Sequence, residues 1–186
     1  MKCALLLLAA CGGGGGGVDA PSTTPAGTCG MQTVVPAEPG IHVAPGTPIT
    51  WSTNPPATGE HYPSWAQFDR QYAVLDRGYW LHDAEHGAIV LLYNCPAGCP
   101  DTIAALTGVV QRMTVDHACT LPVKHRAIVA ADPLLPTLVG AVAWDVSYTA
   151  TCVDAAFLDG FARDHYAQAP EDFCSDGVAL GGTPIP

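Results

Sequence analysis

The order of apolar and polar positions along the second half of the chain predicts strands and helices in alternation. Residues 88–93 are apolar on both faces, a pattern typical of a buried strand. Residues 126–131 and 141–149 predict two further strands, the latter because large apolar residues alternate with small or polar ones. Between the first two strands, apolar residues at helical spacing predict a helix over residues 101–113, with Asp101 as its N-cap.

A second helix completes the predicted core. Asp154 can cap its first turn, and Pro170 ends it. The resulting order, β-α-β-β-α, predicts a single α+β domain with a small mixed β-sheet and two or more helices packed on it. Prolines interrupt residues 29–51 and 54–63 repeatedly, so we expect short extended pieces and a loop-rich N-terminal part there.

The first residues are typical of an exported lipoprotein. Residues 1–10 form a predicted signal peptide, because Lys2 gives a positive start and the apolar run after it is far shorter than the roughly 20 residues that span a bilayer. A bacterial lipobox, Leu-Ala-Ala-Cys, ends at Cys11, which is the predicted lipidation site. Residues 11–28, rich in Gly, Pro, Ser and Thr, are the predicted tether. We therefore expect a lipid anchor on the extracytoplasmic side of a membrane in the bacterial cell envelope.

The rest of the chain has the composition of one exported globular domain. We place this domain at residues 29–175 and expect residues 176–186 to be a flexible tail. The formal net charge of −10 at pH 7 argues against a nucleic-acid partner, because binding to phosphates requires clustered positive charge. The sequence contains no phosphate loop, dinucleotide fingerprint or serine nucleophile elbow. Apart from the membrane reached through the lipid, no partner is indicated.

The cysteines of the predicted domain indicate disulfides. Six is an even number, and in an oxidising compartment it predicts up to three bridges among fifteen possible pairings. The closest pair is separated by three residues, not by the two of thioredoxin-type motifs, which favours structural bridges over redox chemistry. The six candidates are Cys29, Cys95, Cys99, Cys119, Cys152 and Cys174.

Candidate chemistry is concentrated in three histidines and a glutamate. His82 and His86 lie four positions apart with Glu85 between them, and His61 lies upstream in the proline-stiffened loop. A stiff loop holds a side chain at low entropic cost, and neutral imidazole is the commonest metal ligand in proteins. The set therefore predicts a site for one Zn²⁺ or Cu²⁺ ion, with three imidazole nitrogens and Glu85 or water as the fourth ligand. The spacing suits a helix and a strand equally, so the local structure stays open.

Two alternatives to the metal site remain open at this point. If the histidines only satisfy buried backbone groups, the protein is a disulfide-stabilised extracytoplasmic interaction module without a metal. The spacing His82-x-x-Glu85-His86 also matches an inverted zinc-protease motif, which requires a helix and a third ligand downstream. Glu171 is the only glutamate downstream, and Gly87 argues against a helix of useful length. The remaining histidines, expected to be surface residues, are His42, His117, His125 and His165.

Four short motifs occur together between residues 51 and 171. They are Asn54-Pro-Pro-x-Thr-Gly-x-His61-Tyr-Pro-x-Trp65, His82-x-x-Glu85-His86-Gly87 before a strand, Ala143-Trp144, and Phe161 followed by Ala169-Pro170-Glu171. With these motifs the chain resembles, over residues 51–171, the bacterial family catalogued as domain of unknown function 3105. The resemblance implies an exported or membrane-tethered protein, and it implies no reaction because none is established for the family. The cysteines depart from the family's pattern, so they say little about a shared function.

Overall fold

A mixed β-sheet of eight strands forms the centre of the protein in the computed structural model, which describes residues 19–186. The strands are β1 (Ser22–Ala26), β2 (Gly30–Val34), β3 (Arg70–Tyr72), β4 (Ile89–Tyr93), β5 (Ala127–Ala131), β6 (Val139–Ala143), β7 (Val146–Ala150) and β8 (Thr183–Pro184). Within the same residues the helices are α1 (Arg77–Glu85), α2 (Pro100–Arg112) and α3 (Ala155–His165). Across the sheet the strands follow the order β1-β2-β7-β6-β4-β5-β3-β8, with β5 parallel to β3 and β4. This architecture confirms the predicted α+β fold.

The strand β4 is buried along its whole length because both faces of the sheet are covered. Ile89 and Leu91 face one layer, where they join apolar side chains of α2 and α3. Val90 and Leu92 face the opposite layer, where α1 and the N-terminal loops pack. The buried strand predicted at residues 88–93 is therefore confirmed, and α1 lies inside the protein with its polar side chains.

The prediction of one strand over residues 141–149 was wrong, because this segment belongs to two strands. β6 and β7 form an antiparallel hairpin, and Trp144 and Asp145 make the turn between them. Asp145 adopts a left-handed conformation, with φ of 64°, as tight hairpin turns require. The alternation of large and small residues continues through the turn, so the sequence pattern conceals the reversal of the chain.

The helix α1 was not predicted, since its nine residues lack an apolar stripe. Trp80 and Leu81 are wholly buried in it, and so are most of its polar side chains. Asp76 caps its N-terminus by accepting a hydrogen bond from the backbone N–H of Gly78 (3.1 Å). The expectation that Gly87 leaves no helix long enough for the protease motif was therefore wrong. Packing stabilises α1 on both sides, and Gly87 ends it.

The two other helices agree with prediction in position and differ in one cap. Asp101 lies in the first turn of α2, and Cys99 is the N-cap residue, without a side-chain capping bond. Asp154 caps α3 as predicted, by accepting a hydrogen bond from the backbone N–H of Phe157 (3.0 Å). α3 ends before Pro170, as the sequence indicates.

Short strands occupy both ends of the described chain. β1 lies within residues 11–28, the predicted tether, and β8 lies within the predicted tail, where it pairs with β3. No helix between residues 19 and 186 has the length and apolar character needed to cross a bilayer. The predicted signal peptide (residues 1–10) and the predicted lipidation site, Cys11, lie outside the described residues.

Disulfides join all six cysteines of the described chain, as the even cysteine count predicted. The longest bridge, Cys29–Cys152, links the residue before β2 to the segment after β7, with a sequence separation of 123 residues. The shortest, Cys95–Cys99, closes a local turn between β4 and α2, with a separation of 4 residues. The third, Cys119–Cys174, ties the loop before β5 to the segment after α3.

We expect the longest bridge to stabilise the protein more than the shortest. A cross-link lowers the entropy of the unfolded chain, and the effect grows with the length of the closed loop. The variant Cys29→Ser/Cys152→Ser should lose about 5 kcal/mol of unfolding free energy in urea, and Cys95→Ser/Cys99→Ser about 2 kcal/mol. Equal losses in the two variants would contradict this expectation.

Candidate metal centre

The end of α1 positions three of the candidate side chains. His82 and Glu85 lie on the last turn of α1, and His86 is its C-cap residue. Gly87 follows with φ of 81°, which side-chain-bearing residues rarely adopt, and leads the chain into β4. A Cβ atom at Gly87 would also lie 2.8 Å from the Cα of Ala167, so there is no room for a side chain. The turn therefore fixes the directions in which the three side chains leave the backbone.

A backbone bridge brings His42 beside His61. The N–H of His61 donates to the carbonyl of Ile41 (3.0 Å), and the N–H of Val43 donates to the carbonyl of His61 (2.8 Å). The two imidazole rings meet edge to face, with their centroids 4.9 Å apart. His42 is half-exposed, in line with its expected surface position, but it lies against the buried histidines and was not predicted as a ligand.

Four imidazole rings make one continuous cluster. The ring of His82 lies at its centre, with its centroid 4.7 Å from that of His61 and 4.6 Å from that of His86. The ring of His42 stacks on His82 at 4.8 Å. Except for His42, these histidines are at most 2% exposed. With the glutamates at its two ends, we name this set the His cluster: His42, His61, His82, His86, Glu85 and Glu171.

The structure divides the predicted ligands between two overlapping groups. Within each group the ligand atoms all lie within 4.8 Å of one another. The predicted residues do come together, but His86 lies with Glu171 and not with His61 and Glu85. Sequence reasoning had considered Glu171 only as a protease ligand. The first group is His42, His61, His82 and Glu85, and the second is His82, His86 and Glu171.

Two backbone carbonyls determine which nitrogen of each central ring is free to bind a metal. The Nδ1–H of His61 donates to the carbonyl of Gly59 (2.9 Å), and the Nδ1–H of His82 donates to the carbonyl of Tyr62 (2.6 Å). Because a carbonyl only accepts, each Nδ1 carries a hydrogen, and in the neutral ring Nε2 then presents a lone pair. Hydrogen bonds of this kind orient metal-binding histidines in proteins.

The first group brings the carboxylate of Glu85 against two imidazole nitrogens. Oε2 of Glu85 lies 2.8 Å from Nε2 of His61 and 3.8 Å from Nε2 of His42. Within residues 19–186, neither this carboxylate oxygen nor Nε2 of His61 has a hydrogen-bond partner, although both atoms are buried. A carboxylate oxygen beside a nitrogen lone pair is unfavourable unless a proton or a cation lies between them. The first group therefore fits a cation coordinated by these atoms.

Burial keeps the central imidazoles neutral. It lowers the pKa of His82 from 6.5 to about 4 against the opposing hydrogen bond to the Tyr62 carbonyl. It also lowers the pKa of His86 to about 3, and the neighbouring His82 adds to this effect. Burial raises the pKa of Glu85, but its interactions with His61 outweigh burial, so the pKa lies below the ordinary 4.5. At neutral pH His82 and His86 therefore present neutral nitrogens and Glu85 a charged carboxylate, the protonation states that bind metals.

Close packing restricts the side chains of the His cluster. The ring of His86 packs against the rings of both Trp65 and Phe173, with each centroid 4.2 Å away. The backbone of Gly40 packs directly against the Glu85 carboxylate, and a Cβ atom at this glycine would overlap Oε1. Any side chain at position 40 would therefore push the carboxylate away from its position in the first group.

The atoms of the His cluster that are able to bind a metal are imidazole nitrogens and carboxylate oxygens. All six cysteines between residues 19 and 186 are in disulfides, so no thiolate from this part of the chain joins them. Imidazole and carboxylate together suit Zn²⁺ and Cu²⁺, the ions that the sequence predicts.

The zinc-protease alternative meets two of its requirements and lacks a third. α1 supplies the helix that the sequence argued against, and Nε2 of His86 lies 3.2 Å from Oε2 of Glu171, the downstream glutamate. The chemistry also requires the glutamate of the motif beside the ion that its histidines hold. Glu85 instead lies against His61 in the first group, apart from the group that contains His86 and Glu171.

His125 is buried, so its expected surface position was wrong. Its side chain is 8% exposed, and its Nδ1 lies 2.9 Å from Oδ1 of Asp69. The other oxygen of this carboxylate accepts hydrogen bonds from the backbone N–H groups of Lys124 and His125. These bonds join the residue before β3 to the loop before β5, and they explain the burial without a metal. Of the other two histidines, His117 is exposed, and His165, the last residue of α3, packs against Phe161 of the same helix.

The fold and the site define a class: a single α+β domain with three disulfides and a buried His/Glu cluster that is able to hold a metal ion. Residues 42–176 match the family described as Protein of unknown function (DUF3105), so the chain belongs to this family, as its motifs predicted. The matched segment begins at His42 and includes every member of the His cluster. No curated protein and no solved structure matches the chain.

The metal-free protein should lose stability through His86 as the pH falls below 6.5. A histidine with a lower pKa in the folded chain than in the unfolded chain takes up a proton on unfolding, so acid favours unfolding. For His86 this loss extends from pH 6.5 down to about 3. The measurement is the urea-unfolding free energy of the wild-type protein and His86→Gln, both in EDTA, at about pH 7 and about pH 5.

The comparison isolates one group. Burial raises the pKa of the Asp83 carboxyl, so this group favours the folded protein as the pH falls, opposite to His86. Asp83 is present in both proteins, so its effect cancels. The wild-type protein should lose more stability between the two pH values than His86→Gln. His117→Gln, which removes an exposed histidine, should behave like the wild type. Equal losses in the wild type and His86→Gln would show that His86 titrates alike in the folded and unfolded chains.

Proposed function

We propose that the protein binds a transition-metal ion, Zn²⁺ or Cu²⁺, at the first group of the His cluster. The proposal is carried by a buried oxygen of Glu85 and a buried nitrogen of His61, which lie 2.8 Å apart and have no other partner among residues 19–186. A metal ion between these two atoms would be coordinated by both of them. Ligand atoms on a tetrahedral ion are about 3.3 Å apart, so small side-chain shifts accommodate it.

Four residues hold the ion in this proposal. Nε2 of His61 and Nε2 of His82 are oriented by the Nδ1–H bonds to backbone carbonyls, which reduces the entropy lost when the ion binds. Glu85 contributes the charged oxygen, and the half-exposed His42 completes the set on the solvent side. An ion that reaches solvent through one exposed ligand can exchange, which suits a role in metal handling or sensing.

The proposed location is the extracytoplasmic side of a bacterial membrane, where lipid on Cys11 anchors the protein. The lipobox that ends at Cys11 and the glycine-rich tether after it support this location. The three disulfides agree with an oxidising compartment. Metal handling would then take place at the cell envelope.

Replacing Glu85 by glutamine should weaken binding of the tightest ion by about 100-fold or more, because the charge is lost while the shape is kept. Kd is measured on the full chain by competition with a chromophoric chelator, once for Zn²⁺ and once for Cu²⁺. Elemental analysis of protein isolated from the cell envelope identifies the metal it carries. If the wild-type protein binds neither metal, the proposal is wrong and the interaction module without a metal takes its place.

Three further variants separate the loss of a ligand from the loss of the fold. Glu60→Gln removes an exposed carboxylate next to His61 and should bind like the wild type. Gly40→Ala should weaken binding, because its methyl group displaces the Glu85 carboxylate. Gly160→Ala in α3, where a Cβ atom meets nothing closer than 3.5 Å, should not weaken it. Wild-type affinity in Glu85→Gln would contradict the proposed ligand set.

Replacing Cys11 by alanine should move the protein from the membrane fraction to the soluble fraction, because the acyl chains are its proposed anchor. The full chain is expressed in bacteria with labelled palmitate, and label and protein are followed through fractionation. Cys3→Ala, which changes a cysteine within the predicted signal peptide, should stay labelled and membrane-bound. A wild-type protein without label would show that the anchor is absent.

A further inference from the structure

The His cluster contains ligand atoms that the proposed site does not use. We infer that His82, His86 and Glu171 form a second metal position, which takes a divalent transition-metal ion beside the first. The inference rests on the proposed function, because the two positions belong to one cluster and His82, its central ring, is within reach of both.

The three ligand atoms of this second position are already spaced as ligands. Nε2 of His86 lies 3.1 Å from Nε2 of His82 and 3.2 Å from Oε2 of Glu171. Ligand atoms on a tetrahedral ion with bonds of about 2.0–2.1 Å are about 3.3 Å apart. Two of the three separations therefore already suit a common ion, and all three atoms lie within 4.8 Å of one another.

In the metal-free protein a hydrogen occupies the place of this ion. Nε2 of His82 is an acceptor, because the Nδ1–H of that ring is bonded to the carbonyl of Tyr62. Oε2 of Glu171 is an acceptor as well, so Nε2 of His86, which lies between them, carries a hydrogen. When the metal binds, Nε2 of His86 gives up this hydrogen and Nδ1 takes one, so the ring stays neutral.

This change of tautomer makes the second position weaker than the first. Nδ1 of His86 is buried and has no hydrogen-bond partner among residues 19–186, so an N–H there stays unpaired and costs free energy. His61, in the first position, already holds its Nδ1–H on the carbonyl of Gly59. We therefore expect the two ions to bind in order, first to the tighter position and then to the second.

The two positions divide the His cluster evenly. His82 can serve only one ion, because its Nδ1 is occupied by the carbonyl of Tyr62. His82 completes the first position when one ion is bound, and it moves to the second ion when that binds, which leaves His42, His61 and Glu85 to the first. Each ion then has two imidazoles and one carboxylate, and each keeps room for water. Paired ions in proteins lie about 3.5–4 Å apart, so one water can bridge them.

The segment that carries Glu171 is fixed at several points. The N–H of Glu171 donates to the backbone carbonyl at the end of α1 (3.1 Å). Asp172, the next residue, pairs with the buried guanidinium of Arg126. The Cys119–Cys174 disulfide ties the same segment to the loop before β5. These contacts keep the Glu171 carboxylate beside the cluster, although the side chain is 47% exposed.

Counting bound ions tests the two positions separately. Full-length protein, stripped of metal with a chelator, is dialysed in separate samples against Zn²⁺ and Cu²⁺, and the ions per chain are measured by elemental analysis. We expect two ions for the wild type, and one each for Glu171→Gln and Glu85→Gln. Glu60→Gln, the matched control with an exposed carboxylate, should keep two ions. Because the side chain of Glu171 is half-exposed, its substitution should leave the fold intact.

The outcomes distinguish the two proposals. A wild-type protein that binds no ion would overturn the proposed function. A wild type with one ion, or Glu171→Gln with two, would overturn the second position and leave the proposed function standing. Titration with Co²⁺ gives an independent readout, because its visible absorption changes as each ion binds. We expect two phases in the wild type and one in Glu171→Gln, and a single phase in the wild type would also overturn the second position.

Discussion

The abrupt end of α1 at Gly87 determines where the polar side chains of this helix lie. The chain turns there into β4, a strand buried along its whole length, so the last turn of α1 packs beneath the sheet. The carbonyl of Gly87 accepts a hydrogen bond from the N–H of Ala167 (2.9 Å), which docks the segment after α3 on the same turn. Buried polar groups must find partners within the protein. Residues from the N-terminal loops and from the C-terminal segment therefore converge on the end of this one helix.

The way these groups are partnered gives the cluster its chemistry. A purely structural His–Glu pair presents an N–H to the carboxylate. In the His cluster, the Nδ1–H of His61 and that of His82 are already committed to backbone carbonyls. The bonds that satisfy the backbone thus leave only Nε2 of each ring to bind other groups, and Nε2 of His61 faces the carboxylate of Glu85. Folding and affinity for a cation are linked, because the loops that build the core also orient the ligands.

The sequence predicts elements whose stability comes from a repeating pattern, and it misses those that depend on contacts between distant segments. β4, α2 and α3 follow from their apolar spacing, whereas α1 is buried on both sides with polar residues and has no apolar stripe to reveal it. His61, His82 and His86 are recognisable from their motifs. His42 is not, because only a backbone bridge between distant residues brings it to the site. For the same reason the sequence indicates Glu171 only as the downstream ligand of a protease motif and not beside the other histidines, since it reaches His86 only after α3 has packed.

Proline lies in both outermost strands of the sheet, as Pro25 in β1 and Pro184 in β8. A proline has no N–H to donate, and β8 is only two residues long, so neither edge offers an unbroken row of hydrogen bonds to another chain. Copies that meet edge to edge are therefore poorly matched for extending one sheet into the next. Molecules crowded on a surface would remain separate domains and would resist growth into fibrils.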